Sequence, residues 1–302
     1  MSQFKNYLSL IKFSHTIFAM PFAMIGFVLG YIDREKLEPA NAIANGIYNL
    51  YYLPKIFILV LLCMITARSA AMAFNRYLDR SFDAKNPRTA VREIPAGVIS
   101  AKNALTFTIL CCIAFVAFCY FINTKVLMLS PIALFVILFY SYTKRFTVLC
   151  HLVLGLGLSL APLGAYLAVT ASFSLLPILF SLIVLFWVSG FDIIYALQDE
   201  TFDKENKLHS IPSMLGKLRA LRISALLHLV SAAIVVFIGV NYHLHLFFWI
   251  GAIVFKGMLL YQHSIVKPTD LSKVNIAFMA ANGIASIVFA TFVILDLIIY
   301  HL

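Results

Sequence analysis

Runs of roughly 20 apolar residues, the length that crosses a bilayer core as a helix, recur along the chain. They lie near residues 14–32, 54–75, 102–122, 126–142, 148–169, 174–196, 220–240, 243–263 and 275–300. The strict alternation of apolar and polar positions that a membrane β-barrel needs is absent. Backbone groups in lipid have to be satisfied within the segment, so each run is expected to be a helix. The pattern predicts an all-α fold, a polytopic membrane bundle of nine transmembrane helices. No Pro/Gly/Ser-rich linker and no soluble block interrupts the runs, and residues 1–302 read as a single integral-membrane domain. The first run has no clear small-residue cleavage site behind it and reads as a retained span.

The connections between the runs differ in kind. Those after the second, fourth, sixth and eighth runs are charged: RYLDRSFDAKNPRTAVREIPAGVISAK, TKRFT, QDETFDKENKLHSIPSMLGKLRALR and VKPTDLSK. Those after the third, fifth and seventh are short and nearly uncharged. Of the 23 Lys and Arg, only Arg34, Lys36, Lys55 and Lys125 fall on the opposite side, and Lys256 lies inside a run. The positive-inside rule therefore puts the N-terminus and the charged loops in the cytoplasm and the C-terminus outside, in the plasma (inner) membrane of a prokaryote.

Composition agrees. The chain is 62% hydrophobic and 12% charged, where a soluble domain carries about 25% charged residues. The net charge of +10 is explained mostly by topology, so nucleic acid is not an expected partner, and no obligate protein partner is inferred. Arg76, Arg80, Lys85 and Lys102 belong to this topological charge. Cys63, Cys111, Cys112, Cys119 and Cys150 form no CxxC pair and are expected to act as small hydrophobes. Gly155, Gly157 and Gly164 are expected to permit close helix packing. His243, His245 and His301 read as interfacial, and His15 as a packing or acceptor contact.

Two charged loops exceed what a short connection needs, and both carry Asp at helical spacing. Asn75, Asp79 and Asp83 fall at i, i+4 and i+8, on one helix face about a turn apart. Asp192, Tyr195, Asp199 and Asp203, with Gln198 beside them, form a second stripe. Asp192 falls within an apolar run, where an ionised side chain costs several kcal/mol unless paired or hydrated. Two acid stripes at one depth on one side suit magnesium, which takes hard oxygen ligands and is held by one or two carboxylates plus phosphate oxygens. A diphosphate clamped between such ions would be neutralised further by basic residues, Arg68, Arg76, Arg80, Lys85, Arg88 and Arg92 near the first cluster and Lys144 and Arg145 after the fourth run, with topology the favoured account of Arg76, Arg80 and Lys85. Tyr140 and Lys144, at i and i+4, would share a face at the mouth.

The stretch RSAAMAFNRYLDRSFDAKNPRTAVREIPAG (68–97) resembles the first Asp-rich motif of the UbiA superfamily of intramembrane aromatic prenyltransferases, and DIIYALQDETFD (192–203) resembles its second. The Tyr-x3-Lys-Arg after the fourth run and the Pro-x-Gly of 162–164 also match. Arg76 departs from the pattern, since many members have Asp or Gln there. The resemblance implies Mg2+-dependent transfer of a prenyl chain from a polyprenyl diphosphate to an aromatic acceptor of 4-hydroxybenzoate type, in ubiquinone or menaquinone biosynthesis. The futalosine-type menaquinone route is an alternative. It implies that Asn75, Asp79, Asp83, Asp192, Asp199 and Asp203 hold metal and diphosphate, some through water. Arg68, Lys144 and Arg145 would bind the diphosphate, Tyr140 and Tyr195 would line the site, and Asp192 is a candidate base. A membrane phosphotransferase and an ion-coupled transporter are the competing readings. The second motif argues against the first. The absence of a repeat and the concentration of acids at one face argue against the second.

Overall fold

The computed structural model describes residues 3–11, 19–37 and 51–301. The chain forms α1 (Gln3–Leu10), α2 (Met20–Leu37), α3 (Leu53–Asp83), α4 (Ala101–Ile122), α5 (Thr124–Thr143), α6 (Cys150–Thr170) and α7 (Leu175–Ala196). A 3-10 turn (Leu197–Asp199), α8 (Glu200–Glu205), α9 (Ile211–Leu215), α10 (Lys217–Asn241), α11 (Leu246–Ile265), a π turn (Ile276–Ala281) and α12 (Asn282–His301) follow. No strand occurs among the described residues, in keeping with an all-α membrane protein.

Among the described residues, eight helical segments are long and apolar enough to cross a membrane, close to the nine expected. The difference lies in the first: α2 carries Asp33, Arg34, Glu35 and Lys36 at its end. Part of the expected 14–32 run, with His15, lies outside the described residues. Two of the remaining helix starts are fixed by polar side-chain caps. Ser100 accepts the Asn103 N–H at the start of α4, and Asn123 accepts the Val126 N–H at the start of α5. Asn123 also donates to the carbonyls of Leu167 and Ala168 on α6.

Two helical segments are longer than a bilayer needs. Leu53–Asp83 and Leu175–Glu205 each have 31 residues, roughly 46 Å at 1.5 Å per residue, against a hydrocarbon core of about 30 Å. Both therefore carry their last turns beyond the lipid at one end of the bundle, and those turns hold the two acid stripes.

The bundle packs α3 on α4, α2 on α6, α6 on α7, α7 on α10 and α11 on α12. Its main core surrounds Trp187, whose ring lies 5.3 Å from Phe22 and 5.7 Å from Phe255. The indole N–H donates to the Asn282 side chain, so the one polar atom of this ring is satisfied. Close approach is real at Gly155, where a Cβ would stand 2.4 Å from the Leu185 carbonyl oxygen on α7. It is absent at Gly157 and Gly164, which face a cavity instead. All five cysteines are free thiols, with Cys63 and Cys119 facing each other at 3.8 Å across α3 and α4.

Asp296, in the last helix, is fully buried. Its carboxylate accepts the backbone N–H groups of His245 at 3.0 Å and Phe248 at 3.1 Å. It caps the start of α11 from a neighbouring helix, which satisfies donors that α11 cannot satisfy itself.

Candidate active site

The expected acids meet at one end of the bundle, and each of the four outer ones is held by a basic side chain. Asp79 accepts from Arg145 at 2.9 Å and from the Asn75 amide at 3.0 Å. Asp83 accepts from Arg92 at 2.7 Å. Asp199 is gripped by both arms of Arg88, with Nε at 2.9 Å from Oδ1 and Nη2 on Oδ2, and accepts from Asn86 at 3.1 Å. Asp203 is fully buried, with Lys144 at 2.8 Å and Ser210 donating at 2.8 Å. Four carboxylates thus meet four cations, each pair drawn from a different part of the chain.

Electrostatics reinforce the pairing outside the membrane-spanning segments. Burial works against the charge on Arg88, but the hydrogen bonds and charge of Asp199, with Tyr195 helping, outweigh it and raise the guanidinium above its ordinary range. Burial likewise opposes the Lys144 ammonium, and the charge and hydrogen bond of Asp203, with Asp199 beyond it, raise it overall.

Beneath the pairs lies a cavity of about 750 Å³. Its polar end is lined by Arg68, Asn75, Arg76, Arg88, Arg92, Glu93, Tyr140, Asp192 and Tyr195. Its other end is apolar, reaching Val60, Cys63, Phe115, Cys119 and Val126. From Asn75 to Val60 along α3 the distance is roughly 22 Å at 1.5 Å per residue. Gly157 and Gly164, two turns apart on α6, form part of the wall where side chains would otherwise intrude.

Most of the residues singled out from sequence come together here. Arg88 also donates to the Tyr195 hydroxyl at 3.0 Å. Asp79, Asp83, Asp199, Asp203, Lys144 and Arg145 lie in the ion pairs above the cavity rather than in its wall, and Gln198 joins neither group: the 3-10 turn rotates its amide back to donate to the Tyr195 carbonyl. Arg76 corrects the opposite expectation. It is no exposed topology charge but is 4% exposed in the cavity wall.

His151 was not foreseen. It is fixed at the start of α6 with Nδ1 2.6 Å from Asp192 Oδ2, and Nε2 accepts the Ile211 N–H at 3.3 Å. Because Nε2 accepts, Nδ1 carries the proton and donates it to Asp192. One buried ring thereby joins α6, α7 and α9 and orients the carboxylate that faces the cavity. A lone His in an apolar run has no periodic signal; its only sequence clue is that it lies at the same depth as Asp192. His151→Ala is expected to lower turnover about 10–100-fold, with His151→Asn, which keeps a donor near Nδ1, losing less. Initial rates of the purified variants at saturating substrate test this, and unchanged turnover in the alanine variant would refute it.

The oxygen donors fit magnesium. Asp83 Oδ2 is buried with no hydrogen-bond partner among the described residues. No group of three or more His, Cys, Asp or Glu converges on one point among those residues, and magnesium needs only one or two carboxylates with water and phosphate oxygens.

Comparison with known proteins agrees with this arrangement. A family model described as the UbiA prenyltransferase family matches residues 42–286. A 4-hydroxybenzoate octaprenyltransferase of Francisella tularensis subsp. novicida (strain U112) is 29% identical over 255 residues, covering 83% of this chain and 87% of that protein. One from Nitrosomonas europaea is 29% identical over 242 residues, covering 78% and 81%. Among solved structures, the apo UbiA homolog of Aeropyrum pernix K1 superposes with a TM-score of 0.75 at 26% identity, covering 95% of this chain and 98% of that one. The Archaeoglobus fulgidus homolog bound to DMAPP and Mg2+ has a TM-score of 0.72 at 19% identity, covering 97% and 99%, and supports the fold.

Proposed function

The chain belongs to the UbiA prenyltransferase family, and from that premise we propose that it transfers a polyprenyl chain from a polyprenyl diphosphate to an aromatic acceptor of 4-hydroxybenzoate type in quinone biosynthesis. The observation that carries this reading is a single cavity with a charged end beneath two acid stripes and a long apolar end. That shape suits a ligand with an anionic head and an isoprenoid tail. The names of the relatives from Francisella and Nitrosomonas favour the 4-hydroxybenzoate acceptor class over the futalosine-type alternative.

Asn75, Asp79, Asp83, Asp192, Asp199 and Asp203 would hold Mg2+, directly or through water. When bound, Mg2+ supplies the positive charge that stabilises a departing diphosphate. Arg68, Arg88, Lys144 and Arg145 complete that neutralisation on the protein side. The C1–O bond of the prenyl diphosphate breaks with allyl-cation character as a ring carbon of the acceptor bonds to C1. The apolar wall keeps water from quenching the cation. Tyr140 and Tyr195 line the reacting end, and Asp192, oriented by His151, is placed to take the ring proton. In this reading residues 1–302 form one integral-membrane domain, with the N-terminus and the active site on the cytoplasmic face of a prokaryotic inner membrane.

The test incubates membranes containing the protein with Mg2+, a radiolabelled polyprenyl diphosphate and a panel of aromatic acceptors, with products identified by mass. Prenylated acceptor and free diphosphate are expected in equal amounts. Chelation by EDTA should abolish the reaction and excess Mg2+ restore it. Transfer that persists in EDTA would remove the metal from the scheme. Solute uptake by proteoliposomes without diphosphate release would favour a transporter.

A further inference from the structure

Once the four ion pairs are set aside, three charged groups in the cavity wall still have unpaired atoms among the described residues: Arg68, which the prenyl-transfer reading gives to the diphosphate, and Arg76 and Glu93. Arg76 is 4% exposed, and its Nε has no hydrogen-bond partner among the described residues. Glu93 is 9% exposed; its Oε1 accepts from Ser9 on α1, and its Oε2 has no partner among those residues. Both line the polar end of the cavity. Arg76 lies near enough to feel the charges of Arg92, Asp83 and Glu93, with Tyr140 in the same surroundings, yet no ion pair joins Arg76 to Glu93 among the described residues.

A guanidinium N–H left without an acceptor in a buried setting is costly, and so is an unpaired buried carboxylate oxygen. Such groups favour a ligand that supplies both missing partners: an anion for Arg76 and a hydroxyl donor for Glu93. The diphosphate head is already provided for, because Arg88, Lys144 and Arg145 lie among the acids on the outer side of the cavity. Arg76 is also the position at which the first Asp-rich motif departs from the pattern it otherwise resembles.

We propose that Arg76 and Glu93 form the acceptor subsite, with Arg76 binding a carboxylate on the aromatic ring and Glu93 accepting a hydrogen bond from a ring hydroxyl. The subsite rests on the prenyl-transfer reading and deepens it. Within the 4-hydroxybenzoate-type acceptors of that reading, it names a residue for the carboxylate and another for the hydroxyl. It also makes Arg76 the residue that discriminates them from the same rings without a carboxylate.

The test uses two matched pairs of probes, 4-hydroxybenzoate with phenol and 6-hydroxy-2-naphthoate with 2-naphthol, on the purified full chain. In the wild type, one carboxylate is expected to exceed its partner about 100-fold in kcat/KM. Arg76→Gln should lose about that factor on the carboxylate, mainly in KM, and stay within threefold on the partner and on the KM for prenyl diphosphate. Arg76→Lys should fall between. Glu93→Gln should weaken both members of a pair, since both carry the hydroxyl.

Equal losses on both members in Arg76→Gln, or a raised KM for prenyl diphosphate, would overturn the assignment by giving Arg76 to the diphosphate. A binding arm reads the subsite without turnover: the better carboxylate should raise the wild-type unfolding midpoint and leave that of Arg76→Gln unmoved. If the wild type transfers no prenyl group to any probe, the prenyl-transfer reading fails while the binding arm still judges the subsite. If neither carboxylate shifts the wild type, the subsite itself fails.

Discussion

Asp199→Ala is expected to lower prenyl transfer by about 10³-fold with the fold intact. The carboxylate sits at the 3-10 turn that ends α7, where it is the meeting point of Arg88 and Asn86 from the 84–100 connection. Its loss would remove one of the proposed oxygen ligands and leave Arg88 without its bidentate partner. Arg88 is partly exposed and retains the Tyr195 hydroxyl, so its charge can turn toward water. The helices beneath do not depend on it, so the unfolding midpoint in detergent should move by only a few degrees. Asp79→Ala, which frees Arg145 in the same way, should behave alike. Near-normal turnover of either variant in metal-replete membranes would sink the two-stripe scheme.

Asp296→Ala should do the reverse. An acid inside a membrane helix invites a functional reading, and a transporter hypothesis would claim this one. Its contacts give another account, because both carboxylate oxygens serve the first turn of α11. Removing them leaves two backbone donors without acceptors in a buried setting, at a cost of about 2–4 kcal/mol. The expected result is a lowered unfolding midpoint with turnover per folded molecule unchanged, and partial recovery in Asp296→Asn. A variant with wild-type stability and lost turnover would place Asp296 in the chemistry instead.

These two aspartates show what could be read from sequence. Asp199 stood out because it recurs with Asp192 and Asp203 at helical spacing, and periodicity survives folding. The helices were legible for the same reason: runs of about 20 apolar residues leave little choice but to span. Asp296 carries no such signal, since a solitary acid looks alike whether it caps a helix or moves a proton. Partner choice was illegible throughout. Arg88 was expected near the diphosphate, but its grip on Asp199 depends on the path of the 84–100 connection. Lys144 reaches Asp203 only because α5 ends beside α8. Gln198 was read beside the second stripe, and the 3-10 turn points its amide back to the Tyr195 carbonyl. Arg76 was assigned to topology because charge near a membrane face has that explanation by default, and only burial distinguishes it. The glycines of α6 were read together, yet one serves packing and two serve space.

That division of the glycines separates two properties of the protein. In the proposed scheme the charged end fixes which bond breaks, with the four ion pairs above it. The capacity of the cavity is set elsewhere, in part by the side chains missing at Gly157 and Gly164. A single substitution on that flank alters the room for a hydrocarbon tail without touching any acid, base or hydroxyl at the other end. Selection can therefore fit the same catalyst to whichever isoprenoid length a cell makes, one residue at a time.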